Sequence, residues 1–313
     1  MISSLLHLRP WLCWLVAASL AGAMPAVARA ADGGAIAGIV EGAVTLIRQT
    51  TRFALVEGVA LKPEDIVETA PGAFVQVEFD DGAIVGLGEG SRAILQPRVA
   101  RLKPETSPRL YLLEGWIKVT PAAKAGASFN LLTARLEIAT QSAAVVALSR
   151  PAEYALFVES GTARVTERDG ARASLALKSS DFVARAAGAE KASVRTTVPG
   201  DFLGRMPRFF RDRLPARGAV FAKRNIQPRQ PEAVSYADVA HWLRTEMPIR
   251  QPLVRQWRSR VTDKRFRADI ATNLNAHPEW EPIVFPERFI KKDAPASAPS
   301  AGAVALPSTA PAN

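Results

Sequence analysis

The amino-acid sequence predicts a mainly β protein, an antiparallel β-sandwich or jelly-roll domain with a small C-terminal α-helical appendage. Two observations support this fold class. Many short apolar runs follow one another between residues 35 and 186, separated by glycine-containing turns, which is typical of an all-β sandwich. Beyond residue 233 the apolar residues recur at helical spacing instead, as Phe266, Ile270 and Leu274 do.

The clearest single element is a β-hairpin around Asp81-Gly82. Val75, Val77 and Phe79 alternate with polar residues, which is the pattern of a half-buried strand. The Asp-Gly pair that follows supplies the positive φ of a tight hairpin turn. A second apolar run leads away from the turn, so the sequence predicts two paired strands.

The hairpin lies in a stretch that resembles the FecR family of bacterial envelope proteins. That family's pattern is an acidic turn, a short strand ending in Thr, a Gly-Ala pair, an alternating strand, an Asp-Gly turn, an apolar strand and a Ser. The matching positions in this sequence are Glu64, Asp65, residues 66–69, Gly72, Ala73, Asp81, Gly82, residues 85–87 and Ser91. The family's later Gly-Thr-x-Phe element has no counterpart in the corresponding residues 139–145.

The resemblance implies a non-enzymatic protein that binds or signals. In that family, similar domains form the periplasmic sensing part of regulators that cross the inner membrane and control a sigma factor. We recognise no cytoplasmic anti-sigma segment and no internal transmembrane stretch in this sequence. The resemblance therefore implies binding of a protein or ligand by the β domain, within envelope sensing or signalling.

Residues 1–30 predict a cleavable secretory signal peptide. Arg9 precedes an apolar run over residues 11–23, and a small-x-small pattern that ends at Ala30 predicts cleavage after this residue. The alternative is an uncleaved membrane anchor, but the run is shorter than the roughly 20 residues that a bilayer core requires. We expect a periplasmic or secreted protein with no transmembrane segment in the mature chain.

The charge of the chain is uneven. The formal net charge is +10, yet residues 31–185 contain 17 Lys/Arg and 18 Asp/Glu, whereas residues 200–230 contain 8 and 2. A basic region usually indicates nucleic acid, but secretion argues against that partner. The expected partners are an envelope protein or an anionic envelope polymer. The alternative is an arginine-rich coding bias that leaves solvated charge without a partner.

We find no residue pattern that predicts catalysis, cofactor binding or metal binding. Cys13 lies in the predicted signal peptide and is the sole cysteine, so the mature chain has neither a disulfide nor a cysteine nucleophile. Asp238 and His241 lie one helical turn apart, but a metal site needs further ligands and a solvated pair is the simpler interpretation. We therefore predict a protein that is not an enzyme and has no cofactor.

The composition divides the chain into five parts. These are the signal peptide 1–30, a FecR-like β domain 31–186, a basic Pro-rich connector 187–232, a helical appendage 233–290 and a disordered Ala/Pro/Ser-rich tail 291–313. The appendage should contain three helices. Ser235 caps the first, which runs to residue 247, Pro252 lies in the first turn of the second, and Asp263 caps the third.

The best candidate for a partner contact is a group on the second of these helices, Arg255, Trp257, Arg258 and Arg260. Aromatic and arginine side chains are enriched at protein interfaces. The alternative for Trp257 is packing in the core of the appendage. Two binding functions remain open: an interaction module for an envelope protein, and a binder of cell-wall or anionic polysaccharide through the basic C-terminal region. A third hypothesis is an enzyme that acts on envelope glycans with a facing carboxylate pair.

Overall fold

The computed structural model describes four stretches of the chain, residues 34–99, 107–124, 126–169 and 173–289. The fold is mainly β, with a large antiparallel sheet and few helices toward the C-terminus, which confirms the predicted fold class. The predicted signal peptide and the predicted disordered tail lie outside the described residues. No helix in the described stretches has the length and apolar character needed to cross a membrane.

The described residues contain sixteen strands. The first eight are β1 Ala35–Glu41, β2 Val44–Arg48, β3 Thr51–Ala54, β4 Ala60–Leu61, β5 Ile66–Thr69, β6 Phe74–Phe79, β7 Ile84–Leu87 and β8 Arg92–Leu95. The other eight are β9 Leu110–Thr120, β10 Ser128–Thr133, β11 Leu136–Ser149, β12 Tyr154–Glu167, β13 Ser174–Lys178, β14 Phe182–Arg185, β15 Ser193–Arg195 and β16 Arg229–Ala233.

The strands pair in two layers that three long strands connect. Layer A has the order β4-β1-β6-β7-β9-β11-β12-β14-β15, and layer B has the order β16-β3-β2-β5-β8-β9-β10-β11-β12-β13. Strands β9, β11 and β12 contribute one half to each layer. Among the described strands the pairings are antiparallel except between β9 and β10, which run in the same direction over three residue pairs.

The long strands change layer at residues with positive φ. Strand β9 does so at Gly115, and β11 and β12 do so where Ser142 (φ +48°) lies beside Gly161 (φ +73°). A Cβ atom on Gly161 would collide with the backbone of Ser142 and Ala143. Glycine is therefore required where the β11–β12 hairpin bends from one layer to the other.

The predicted turn at Asp81-Gly82 joins β6 and β7 and is confirmed. Gly82 has a φ of +90°, and its N–H donates to the carbonyl oxygen of Phe79 at 2.8 Å. The N–H of Phe79 donates to the carbonyl oxygen of Ala83 at 2.9 Å, which closes the turn. The two strands then pair in antiparallel register from Glu78 onward.

Short helices make up most of the C-terminal third. The α-helices are α1 Gly200–Arg205, α2 Arg208–Arg211, α3 Gly218–Phe221, α4 Tyr236–Val239, α5 Met247–Trp257, α6 Lys264–Thr272 and α7 Glu281–Val284. Single 3₁₀ turns lie at Trp242–Arg244, Arg258–Thr262, Leu274–Ala276, Pro278–Trp280 and Pro286–Arg288.

The predicted caps are present, but two predicted helix bounds are wrong. Ser235 forms a capping box with Asp238, and Asp263 accepts two backbone N–H groups at the start of α6. The expected continuous helix over residues 236–247 is interrupted after α4. Pro252 lies inside α5 because that helix begins at Met247, and Pro248 already occupies its first turn.

Three apolar cores stack on one another. The first lies between the two layers and takes the inward-facing residues of both. The second packs the outer face of layer B against residues 234–289, which we call the helical module. The third packs the outer face of layer A against residues 199–222, which we call the strap. The C-terminal third of the chain therefore covers both outer faces of the sandwich.

The strap explains why β6 is not half-buried as its sequence predicts. Gln76 and Glu78 point out of the sandwich, yet they are only 3 % and 8 % exposed. Glu78 accepts the N–H groups of Arg217 and Gly218, each at 2.7 Å, and Gln76 donates to the carbonyl oxygen of Pro215 at 2.9 Å. Every residue of β6 is buried, because the strap supplies the partners that water supplies on an open sheet.

A second carboxylate, Glu68 of β5, fixes the helical module on layer B. Its Oε1 accepts the indole N–H of Trp242 at 2.7 Å and lies 2.7 Å from Nε2 of His241. The phenol of Tyr111 donates to Glu246 at 2.8 Å beside it. These polar contacts surround an apolar junction in which Trp242 is fully buried.

Replacing Glu78 with alanine should loosen the strap and lower the free energy of unfolding by about 2–3 kcal/mol, because three buried donors lose a charged acceptor. Urea unfolding measures the loss, and amide exchange should accelerate first at Arg217 and Gly218. Glu137→Ala is the matched control, since Glu137 is exposed on β11, and should change stability by less than about 0.5 kcal/mol. Equal effects of the two substitutions would contradict the anchoring role.

Candidate functional site

A groove runs along the line where the helical module meets the turns of layer B. Its volume is about 660 Å³, and its walls include Gln49, Glu64 and Arg98 from the sandwich and Pro252, Arg255 and Ser259 from the module. We call it the basic groove. It lies at the surface, and residues far apart in the sequence form its two walls.

The backbone of one turn of layer B joins the two walls. Gln49, between β2 and β3, has a φ of +54°. Its carbonyl oxygen accepts the indole N–H of Trp257 at 2.8 Å and the side-chain amide of Gln256 at 3.0 Å. Helix α5 is therefore hydrogen-bonded directly to the turn that forms the opposite wall.

Unusual backbone conformations concentrate around the basic groove. Six non-glycine residues of the described chain have positive φ, and Gln49 and Glu64 are two that line the groove. A third, Gln96, lines a neighbouring cavity that shares Arg98 with it. Such conformations cost about 1–3 kcal/mol each and cluster at functional sites, so their positions favour this groove as a binding site.

Two arginines give the basic groove its electrostatic character. Arg98 is 79 % exposed, and its Nε lies 3.2 Å from the carboxylate of Glu64. Arg255 is exposed, and no carboxylate in the described part of the chain pairs with it. A planar guanidinium with free donors matches a carboxylate or phosphate in two-point geometry, so the arrangement suits an anionic group on a ligand.

The structure separates the four residues that the sequence grouped as a partner contact. Trp257 is fully buried between the module and layer B, which rules out its part in a partner contact and agrees with the alternative of core packing, because the indole packs in that core and donates to the carbonyl oxygen of Gln49. Arg260 donates to the carbonyl oxygen of Val234 at 2.9 Å and contacts Asp263. Arg255 lines the basic groove, and Arg258 is exposed outside its lining.

Asp238 and His241 do not form a pair. The carboxylate of Asp238 accepts the backbone N–H of Ser235 at 2.8 Å, whereas the ring of His241 faces Glu68. Within the described residues, no group of three or more His, Cys, Asp or Glu side chains is placed to hold a metal ion.

The other histidine of the described residues, His277, lies in the core of the helical module and is fully buried. Its Nδ1 lies 3.1 Å from the carbonyl oxygen of Leu243, and its Nε2 lies 2.9 Å from the phenol of Tyr236. A carbonyl can only accept, so we assign the ring proton to Nδ1 and the donor role to the phenol. Burial lowers the pKa of His277 from its usual 6.5, and nearby Arg244 also disfavours the charged ring.

Comparison with known proteins gives only distant likeness. No family model and no curated protein matches the chain. Two crystal structures of a proposed anti-sigma factor from Parabacteroides distasonis share 15 % and 16 % sequence identity with it, each over 42 % of this chain, with TM-scores of 0.35. The matched region spans 59 % of the length of those chains. At this distance the likeness does not define a function.

The helical module should lose stability in mild acid because of His277. The folded chain binds this proton more weakly than the unfolded chain, whose histidine has a pKa of 6.5. Stability should therefore be complete above pH 6.5 and fall as the pH drops toward the lowered pKa, by at most about 1.4 kcal/mol per pH unit. Urea unfolding of wild type and His277→Gln between pH 7.5 and 5 measures the difference. Parallel pH profiles of the two proteins would contradict the assignment.

Proposed function

We propose that this is an exported, FecR-like binding protein of the bacterial envelope that has no catalytic activity and takes part in envelope sensing or signalling. Its basic groove binds an anionic surface of another envelope protein. The observation that carries the proposal is Arg255, a cation on α5 with no ion pair in the described residues, which lines the same groove as Arg98. The hydrogen bonds from Trp257 and Gln256 to Gln49 fix the backbone of the two walls, so the groove itself need not reorganise on binding.

The distribution of charge supports an anionic partner. Residues 31–199 contain 19 Lys/Arg and 19 Asp/Glu, whereas residues 200–289 contain 17 and 10, an excess of 7 positive charges. The excess lies in the strap, the helical module and the segment that joins them. A field of this kind accelerates the approach of an acidic partner, and salt weakens it.

A second candidate function is binding of cell-wall or other anionic polysaccharide. Four further cations, Arg213, Lys223, Arg224 and Arg229, are exposed and have no ion pair among the described residues. They follow one another along the chain, Arg213 within the strap and the other three between the strap and the helical module. An extended polyanion would contact such a row of charges without requiring the basic groove.

The two functions differ in their dependence on the basic groove and on salt. We would capture partners of residues 31–313 from envelope extracts at low and high ionic strength, using wild type, Arg255→Glu and Arg265→Glu. Arg265 is exposed on α6, away from the groove lining, so its substitution makes the same change in charge. Affinity for the captured protein would then be measured with purified components.

If the groove binds a protein, the complexes of wild type and of Arg265→Glu with one partner protein should persist at high salt. Its affinity for Arg255→Glu should fall at least tenfold, about 1.4 kcal/mol. Recovery of polysaccharide alone, lost at high salt and equally weakened by both substitutions, would support the second candidate. A salt-resistant partner that binds all three proteins equally would refute the role of the groove.

A further inference from the structure

A second surface lies at the other side of the molecule, where layer A ends in the short strand β15. Beside this strand is a cleft of about 290 Å³, which we call the edge cleft. Its floor includes Phe182 and Ala184 of β14, and its rim includes Arg195 of β15 and Phe202 and Arg205 of the strap. The edge cleft therefore combines an open sheet edge, an apolar floor and cations.

The hydrogen-bond pattern shows which backbone groups the open edge presents. The N–H of Val158 donates to the carbonyl oxygen of Asp181 at 3.0 Å, and bonded pairs in an antiparallel ladder recur at every second residue. The backbone N–H and C=O of Val183 therefore bond to β12. The backbone groups of its neighbours, Phe182 and Ala184, bond to β15. Val194, opposite Val183, then directs its N–H and C=O away from the sheet. These two groups are the donor and acceptor that an added strand requires.

The edge strand β16, unlike β15, is protected from pairing with another chain. Strand β16 contains Pro231, and its pairing with β3 shifts register between Arg229 and Glu232. Proline and irregular register are devices that keep an edge from pairing with another chain. Strand β15 has neither, and Val194 is 51 % exposed at its centre.

The side chains around the edge cleft specify the chemistry of the added strand. Two carboxylates also line the cleft, and each has a basic neighbour: Glu153 contacts Arg150 at 2.8 Å, and Asp201 contacts Arg205 at 3.6 Å. Arg195 is exposed and has no ion pair in the described residues, so its charge is open to a partner. The floor beside these charges is apolar and includes Phe182, Ala184 and Phe202. A strand whose apolar side chain enters the cleft and whose acidic side chains face the arginines would match both features.

A second copy of this chain fits the edge less well. Two copies of β15 paired in antiparallel register about Val194 would place each Arg195 opposite Ser193 of the other copy, so that the two Arg195 side chains become diagonal neighbours on one face. Like charges across paired strands are destabilising. We propose that β15 and the edge cleft bind an extended, acidic-apolar segment of a partner protein by strand addition. This surface is independent of the basic groove.

The test uses a fluorescein-labelled hexapeptide, Glu-Thr-Val-Thr-Glu-Thr, whose glutamates and valine share one face of an extended strand, and a second in which lysine replaces glutamate. Fluorescence anisotropy with wild type should show binding of the glutamate peptide and at least tenfold weaker binding of the lysine peptide. Arg195→Glu should reverse this preference, because the charge at the rim is reversed. Arg265→Glu is the control of equal charge change and should behave as wild type.

The backbone contribution is tested by Val194→Pro, which removes one outward N–H and leaves the bonds to β14 intact. It should weaken binding of the glutamate peptide at least fivefold with an unchanged melting temperature. Equal affinity for both peptides, or unchanged binding by Arg195→Glu and Val194→Pro, would overturn the proposal. So would sedimentation showing a wild-type dimer that Val194→Pro dissociates, because the occupant would then be a second copy.

Discussion

The structure depends on one constraint: the outward-facing side chains of a two-layer sandwich must be hydrated or covered, and here the C-terminal third of the chain covers them. Glu78 on layer A and Glu68 on layer B point out of the sandwich, where water would normally solvate them. Each instead accepts hydrogen bonds from the covering segment. A carboxylate that loses its water without gaining donors is costly, so these two residues define where the strap and the helical module dock.

Covering both faces also determines where binding surfaces remain. The basic groove lies where the helical module meets the turns of layer B, and the edge cleft lies where the strap meets the last strand of layer A. In each case one wall belongs to the sandwich and the other to the C-terminal third. A ligand that contacts both walls binds the docked arrangement better than the undocked one. Binding and docking therefore stabilise each other through their linked free energies.

Local signals were sufficient for part of this architecture. The turn at Asp81-Gly82 and the caps at Ser235 and Asp263 involve residues within a few positions of one another, and all three formed as the sequence predicts. The burial of Gln76 could not be predicted, because its partner Pro215 is distant in sequence and the alternation of polar residues in β6 is typical of an exposed face. Periodicity gives the direction of a side chain and says nothing about what lies beyond it.

The same reasoning explains why the site was only partly predicted. A basic helix drew attention to Arg255, but nothing in the sequence places Arg98 opposite it, and positive φ at Gln49 leaves no sequence signal comparable to glycine. The aromatic residue beside Arg255 proved to be structural. Trp257 lies on the buried face of the same helix, and its indole N–H donates to the carbonyl oxygen of Gln49. The buried Trp257 therefore fixes the shape of the groove, and the exposed Arg255, two positions earlier, contributes its charge. Because one wall of the groove belongs to the sandwich and the other to the helical module, the groove exists only while the module is docked.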